Sequence, residues 1–531
     1  MTDPLTASPR QEPRHEPLRE PLHEPLHEPR QELLHELLDE AAAHWPDRPA
    51  VTCHGRTVTY RELADASRRA ATWLGELGLR RGQRLLVSAP ASTTVPALVH
   101  AASRLGVAFS LLHEQVQGKQ LEHVLRDSEP TLIISDSVLN QATAEQHCVG
   151  AEDLATATAR AFDPEGAQEP IPTAPLPVDP VCLIYTSGTT SLPKAVVSTH
   201  QQLVFSVRAI QQVLGYRPDD VVYSPLPLSF DYGLYQLFLG ARSGAHVWLG
   251  RPAEVGPPLL TNLLAARATV LPAVPAVADA LGRLLRRAGD RRPPLRMLTN
   301  TGAAMPQDAL AVLRAHLPGL DVHLMFGLTE CKRGTIMPAN GDLARPGSSG
   351  LALPGTEVFV VDEEGKRLPA GEHGEIVVRG PNVMSGYWRQ PELTAQRYPR
   401  TEGLFPELRT GDYGRVDADG YLYVEGRRDD VYKENGFRVS AVEVEAAARR
   451  LPAVASAAVL APDGSAPTRL FVTVTDGSGA ADVLQAMRQV IEEFKIPRVC
   501  VVLPALPLTG NGKVDRKALA ALANEVAHAR G

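Results

Sequence analysis

Cysteine is scarce: five residues in 531, at Cys53, Cys148, Cys182, Cys331 and Cys500. They form no CxxC pair, which excludes a cysteine-rich zinc site and fits a reducing cytoplasm. Long apolar runs are missing too, and no stretch approaches the roughly 20 uninterrupted apolar residues of a membrane helix. The N-terminus has no apolar signal core, being Pro, Glu, His and Arg from the start. Positive charge is not in excess. A formal net charge of −7 leaves no electrostatic footprint for nucleic acid and argues against an anionic membrane surface. What remains is an ordinary globular composition, 44% apolar and 22% charged, in a chain too long for one core. Two or more domains are expected.

Residues 1–31 are a low-complexity tail with the repeat HEPL-REPL-HEPL-HEPR. A proline every fourth residue forbids a helix, and there is little apolar bulk to bury, so the tail reads as disordered. It contains a formal HExxH match from His23 to His27. That zinc motif needs a helix to bring both imidazoles to one face, and Pro25 lies inside it. From Glu32 the pattern turns helical, with Leu33, Leu34, Leu37, Leu38, Ala41 and Ala42 at three-to-four spacing. Short apolar strands then alternate with amphipathic helices to about residue 425, which reads as α/β layers. Examples are the strand Val181–Ile184 and the helix Leu203–Leu214. The polar stretch 426–430 interrupts this pattern. Beyond it lies a unit with its own helices (Ala441–Arg450, Ala481–Glu493) and strands (Ala455–Leu460, Leu470–Val474). The expected organisation is a core domain over 32–425, a hinge at 426–430, a small lid over 431–524 and a tail at 525–531.

The sharpest chemical signal is Tyr185-Thr-Ser-Gly-Thr-Thr-Ser-Leu-Pro-Lys194, directly after an apolar strand. The hydroxyls of Thr186, Ser187, Thr189 and Thr190, the small Gly188 and the closing Lys194 supply many donors with little bulk. A triphosphate needs such a wrap of donors and a cation. GxxxxGK[ST] does not occur, so this is no Walker loop, and Gly510-Asn-Gly-Lys513 fails that pattern as well.

The segment resembles the phosphate-binding signature of the adenylate-forming superfamily, which includes acyl-CoA synthetases, peptide-synthetase adenylation domains and luciferases. Ser191 and Ala195 replace two usual glycines, so a stiffer loop is expected. Further matching motifs follow in order: Val58-Thr-Tyr-Arg-Glu-Leu63, Phe326-Gly-Leu-Thr-Glu330, Gly374-Glu-Ile-Val-Val-Arg-Gly380, Arg409-Thr-Gly-Asp412, Gly426-Arg427-x-Asp429 and Pro507-Leu-Thr-Gly-Asn-Gly-Lys513. The resemblance covers nearly everything after residue 32. It implies an α/β fold, with a large N-terminal domain of several subdomains and mixed sheets plus a small mobile α+β lid. It also implies ATP and Mg²⁺ as requirements. Thr186, Ser187, Gly188, Thr189, Thr190 and Lys194 would hold the ATP phosphates. Gly302, Ala303, Phe326 and Gly327 would line the adenine, Thr329 would touch the α-phosphate, and Glu330 would bind magnesium. Asp412 and Arg427 would hold the ribose, Asp429 would be the hinge, and Lys513 would bridge the substrate carboxylate and α-phosphate.

The chemistry suits that set. A carboxylate attacking a phosphate is repelled, so cations must gather where the two meet; no side-chain nucleophile is needed. Once pyrophosphate leaves, a lid turning about Asp429 would let a thiol replace Lys513 at the acyl carbon. Cys331 beside Glu330 reads as a packing residue. His200, after the phosphate loop, reads equally as a gate to substrate or as a surface helix cap.

Specificity is read from two places. Asp231, in Ser229-Phe-Asp-Tyr-Gly-Leu-Tyr235, occupies the position where adenylation domains pair an aspartate with a substrate ammonium; Tyr235 belongs to the same segment. Some fatty-acid and aryl ligases carry a similar stretch. Lys332 and Arg333 follow the magnesium glutamate, and an anionic group on the substrate would balance them. Adjacent strand residues face opposite ways, so one of the two is expected in the pocket, and either could instead make a structural salt bridge. Together these residues resemble stand-alone ligases that load β-amino acids onto acyl carrier proteins in macrolactam polyketide pathways. An aspartate or 3-methylaspartate type of substrate is implied, its α-carboxylate recognised and its side-chain carboxylate activated. No serine-bearing Gly-Asp-Ser carrier site follows Lys513. The thiol is therefore expected in trans, from an acyl carrier protein's phosphopantetheine or from coenzyme A. An acyl-CoA or aryl-CoA synthetase for a non-amino acid is the alternative within the class, and a non-catalytic nucleotide-binding relic is the alternative outside it.

Overall fold

A computed structural model describes residues 33–531 except 114–115, 117, 137–149, 172, 187–192, 402–404, 428–430, 435–436, 463–466, 492, 510–513 and 529–531. The N-terminal repeat, Cys148, Ser187, Gly188, Thr189, Thr190, Ser191, Asp429 and Lys513 therefore lie outside the described residues.

The first helix, Leu34–His44, buries Leu34, Leu37, Leu38 and Ala41, the stripe that its spacing foretold. The Val58–Leu63 motif is a helix start. Thr59 accepts the N–H of Glu62 at 3.2 Å while the Glu62 carboxylate accepts the N–H of Thr59, a capping box that opens the helix Tyr60–Glu76. Tyr60 then anchors that helix, donating to the carbonyls of Gly240 and Ala245.

Two parallel-rich sheets form the core. A nine-stranded sheet places Asp321–Phe326, Met297–Asn300, Val270–Ala273, Val221–Ser224, His246–Leu249 and Pro49–Cys53 side by side in parallel, with short antiparallel strands at both edges. A seven-stranded sheet carries Pro180–Thr186 and Lys194–Thr199 next to each other near one edge, with Gly386–Tyr387 outermost. Their strands are buried apolar runs, as parallel sheets covered on both faces require. One large apolar cluster joins both sheets to the helices around them.

The strand–helix alternation stops earlier than its pattern indicates. From Leu351 to Arg427 the regular elements among the described residues are strands, apart from one short helix at Pro391–Arg397. Here Glu357–Val361, Gly374–Arg379, Phe405–Val416 and Leu422–Arg427 build an antiparallel sheet. Periodicity cannot distinguish a short apolar strand from a buried helical turn, and that ambiguity extended the α/β reading too far. Leu422–Arg427 also carries Gly426 and Arg427 into this sheet, so the first two residues of the expected hinge are strand.

The C-terminal part is α+β. Val454–Leu460, Arg469–Val474 and Val499–Val502 form a sheet, with Ala441–Arg449 and Ala480–Met487 contributing to their own apolar cluster. The second helix ends at Met487, six residues before the expected limit. The last helix, Arg516–His528, continues beyond residue 524 into what the sequence reads as tail.

Candidate active site

The phosphate motif sits on a β-hairpin. Val181 to Ile184 are buried, and Pro180–Thr186 pairs antiparallel with Lys194–Thr199 so that Thr186 lies opposite Lys194. The Thr186 hydroxyl donates to the Lys194 carbonyl at 3.4 Å. The first and last donors of the motif are thus brought together across the strand pair. Ala195 is fully buried within the second strand, opposite Tyr185. Its departure from glycine falls in a strand and does not stiffen the loop.

Lys194 reaches the ring of Tyr387, with Nζ 4.3 Å from the centroid. Burial holds its ammonium below the ordinary lysine range, with Glu330 pulling the other way. Glu330 is 7% exposed and accepts the Tyr387 hydroxyl at 2.7 Å. Burial, and then the charge of Glu330, push the Tyr387 phenol up. Glu330 and Thr329 lie in a turn after the strand Asp321–Phe326. Gly327 has no room for a side chain there: a Cβ would meet the Lys332 carbonyl oxygen at 2.3 Å.

Phe326 ends one parallel strand, and Gly302 and Ala303 follow the neighbouring strand Met297–Asn300, with Asn300 opposite Leu324. Gly302 takes φ +87°, a left-handed conformation suited to glycine. Nucleotides bind outside the carboxyl ends of such strands. Asp412 and Arg427 are cross-strand partners, with Nε 3.6 Å from Oδ1; Asp412 is buried and Arg427 largely open.

Among the described residues no three His, Cys, Asp or Glu side chains gather into a metal site. A lone buried carboxylate suits Mg²⁺, which is often held by one or two carboxylates together with substrate phosphates. Glu330 fits that role, offering the ion a carboxylate beside the phosphate hairpin.

A second cluster lies around Asp231, the first residue of the helix Asp231–Ser243. Arg333 comes to 3.8 Å from it, both side chains almost sealed from solvent. Arg333 also lies 4.8 Å from the centroid of Tyr232. Lys332 is fully buried, its Nζ has no hydrogen-bond partner, and it sits 5.8 Å from the centroid of Tyr235. The Tyr235 hydroxyl is likewise buried without a partner. Burial lowers the Lys332 pKa, with Asp231 opposing the shift.

The strand argument for Lys332 and Arg333 does not apply. Lys332 has φ +60°, so the two residues lie in a turn and both side chains are buried. Asn382 holds this turn by donating to the carbonyls of Cys331 and Arg333 at 3.2 and 2.9 Å. Asn382 and Tyr387 escaped the sequence reading because both act through partners about fifty or more residues away. Their one visible signal is position, just downstream of the Gly374–Gly380 motif. Cys331 is buried and its thiol is pushed up to about 12, consistent with packing. His200 is neither a gate nor a surface cap. It is wholly buried, its Nδ1 accepts the Leu34 N–H at 3.1 Å, and Thr199 caps the helix instead.

Lys194, the buried Glu330 and the Thr186 hydroxyl are the kinds of group that a nucleotide's phosphates and magnesium require. The family models agree. The AMP-binding enzyme model matches residues 38–388, and the AMP-binding enzyme C-terminal domain model matches residues 443–513. The chain belongs to the AMP-binding enzyme family, the adenylate-forming superfamily, and is an AMP-forming ligase. It is 30% identical to an L-proline–[L-prolyl-carrier protein] ligase of Streptomyces coelicolor, over 91% of this chain and 94% of that one. It is 29% identical to a feruloyl-CoA synthase of an Amycolatopsis species, over 88% and 94%. Among solved structures, VinN in complex with L-aspartate is 36% identical, covering 75% of this chain and all of that one, with a TM-score of 0.68. The o-succinylbenzoate coenzyme A synthetase MenE of Bacillus subtilis, in complex with ATP and magnesium, is 28% identical over 91% and 99%, with a TM-score of 0.80.

Proposed function

We propose that the chain activates an aspartate-type amino acid, such as aspartate, 3-methylaspartate or another β-amino acid, as its acyl-adenylate and then transfers the acyl group to the phosphopantetheine thiol of a separate carrier protein. The observation that carries this reading is the buried set Asp231, Lys332 and Arg333. This buried cluster offers one anion and two cations. Burying charge without compensation is costly, and a substrate bearing both an ammonium and a second carboxylate compensates all three. The relatives named for carrier-protein loading and for L-aspartate support the same choice.

In the first half-reaction a substrate carboxylate oxygen attacks the α-phosphorus of ATP, the bond to the β-phosphate bridge breaks, and pyrophosphate leaves. Thr186, Ser187, Thr189, Thr190 and Lys194 would hold the phosphates, Lys513 would bridge the substrate carboxylate and the α-phosphate, and Asp412 with Arg427 would hold the ribose. Glu330 would hold magnesium, whose charge would offset that of the phosphates. In the second half-reaction a thiolate attacks the acyl carbon and AMP departs. Rotation about Asp429 exchanges Lys513 for the thiol.

Coenzyme A as acceptor is the competing reading, favoured by the likeness to the feruloyl-CoA synthase. Incubation with ATP, aspartate and either a phosphopantetheinylated acyl carrier protein or coenzyme A separates them by intact mass. The proposal expects an aspartyl mass gain on the carrier and none on its unmodified form. Thioester on coenzyme A alone would overturn the carrier assignment.

A further inference from the structure

Two groups from distant parts of the sequence meet at the Tyr387 side chain. Its hydroxyl donates to Oε1 of Glu330 at 2.7 Å, and its ring lies 4.3 Å from the Lys194 ammonium. The tyrosine is fixed from several sides. Its strand pairs with Lys194–Thr199, placing Tyr387 opposite Val196. Its N–H donates to the Thr394 hydroxyl at 3.0 Å, and Tyr398 packs against its ring with centroids 5.7 Å apart. The Met384 N–H adds a main-chain link to the Glu330 carbonyl at 2.9 Å. Glu330 and Tyr387 are 7% and 5% exposed, so water cannot readily substitute for this bond.

A buried tyrosine needs an acceptor for its hydroxyl, and any nearby backbone carbonyl would satisfy it. Here the acceptor is the carboxylate proposed above to meet magnesium, and the face of the same ring is given to the lysine proposed to bind phosphate. Donation to Oε1 fixes the carboxylate plane and leaves Oε2 for the ion. We propose that Tyr387 is a positioning residue for adenylation, presenting Glu330 to magnesium and Lys194 to the ATP phosphates. The inference rests on the adenylating roles given to those two residues above.

Tyr387→Phe removes only the hydroxyl and keeps the ring under Lys194. The Mg²⁺ concentration for half-maximal ATP–pyrophosphate exchange is expected to rise about tenfold, the usual scale for groups that orient a metal ligand. The rate at saturating Mg²⁺ and the KM for the acid stay within about twofold, since neither the acid nor a reacting atom is touched. Calorimetric binding of α,β-methylene-ATP across a Mg²⁺ series should show the same weakening without turnover. Tyr387→Leu, which also removes the ring, should raise the KM for ATP further. An unchanged Mg²⁺ dependence in Tyr387→Phe, or a loss of rate that saturating Mg²⁺ does not restore, would overturn the proposal. Should that variant fold poorly, 2,3-difluorotyrosine at 387 keeps the shape and changes only the hydroxyl's acidity; an unshifted Mg²⁺ dependence there would overturn it equally. Absence of exchange by the wild-type protein with every acid would instead count against the adenylating reading itself.

Discussion

Arg333 lies 3.8 Å from Asp231, and neither side chain is more than 6% exposed. The two lie 102 residues apart in the sequence, one opening a helix and the other closing a turn held by Asn382. Lys332, with its amine unbonded, completes an arrangement of one anion and two cations with little access to water.

Removing the anion should therefore cost substrate selection. Asp231→Ala is expected to lower kcat/KM for aspartate by about 30-fold or more, roughly 2 kcal/mol, the lower range for truncating one member of a buried charge pair. Its residual activity with a carboxylic acid lacking the amine should change far less. Exchange kinetics with aspartate and succinate side by side measure this, and an equal loss on both would contradict the amine assignment.

Lys332→Met should separate function from stability. The variant keeps most of the volume and removes a buried ammonium that lacks a hydrogen bond, so stability to urea is expected to rise by about 1–3 kcal/mol while aspartate activation falls. The sign with pH follows from the lowered pKa of Lys332. The folded state holds this proton less tightly than the unfolded state, so the penalty is full below the folded pKa. It disappears as pH rises toward the ordinary lysine value. The stability gain of the variant should accordingly shrink as unfolding is measured at higher pH.

The buried histidines predict an acid limit. Burial lowers the pKa values of His100 and His200 to about 4, from an ordinary 6.5. Below 6.5 the unfolded chain takes up protons that the folded chain refuses, so stability falls between pH 6.5 and about 4 and is unaffected above. His200→Asn keeps an acceptor for the Leu34 N–H and removes one titrating ring. The slope of unfolding free energy over that range should drop by about 1.4 kcal/mol per pH unit. An unaltered slope in urea titrations would show that His200 is not held neutral.

Lys513→Ala should divide the two half-reactions. Adenylation is expected to fall at least about 100-fold, the scale for losing one preorganised donor at developing charge. Thioester formation from supplied aspartyl-adenylate should remain near the wild-type rate. A variant that exchanged pyrophosphate normally would remove Lys513 from the mechanism as drawn.

What was legible in the sequence was contiguous. The Tyr185–Lys194 signature, the Asp412 and Gly426-Arg427 motifs and the Phe326–Glu330 turn each hold their chemistry in a few neighbouring residues, and the structure pairs Thr186 with Lys194 and Asp412 with Arg427 across neighbouring strands. The first helix was readable because Leu34, Leu37, Leu38 and Ala41 repeat at helical spacing. Residues whose roles depend on tertiary pairing were not. Tyr387 gains meaning only when its strand lies beside Lys194–Thr199, and Asn382 only when it reaches the turn at Cys331 and Arg333. The backbone at Lys332 was misjudged for a related reason: its left-handed φ is set by the packing around Gly327, which local spacing does not report. The strands from Leu351 onward were merged into the α/β pattern because short apolar runs carry no signature of sheet direction.

The most direct test of the substrate assignment is ATP–pyrophosphate exchange by the purified protein across aspartate, 3-methylaspartate, β-alanine, proline, benzoate and octanoate. Exchange strongest with aspartate or 3-methylaspartate, and weakened in Asp231→Ala, is the predicted result. Exchange confined to benzoate, octanoate or proline would leave the AMP-forming chemistry intact and contradict the reading of Asp231, Lys332 and Arg333 as a clamp for an amine and a second carboxylate.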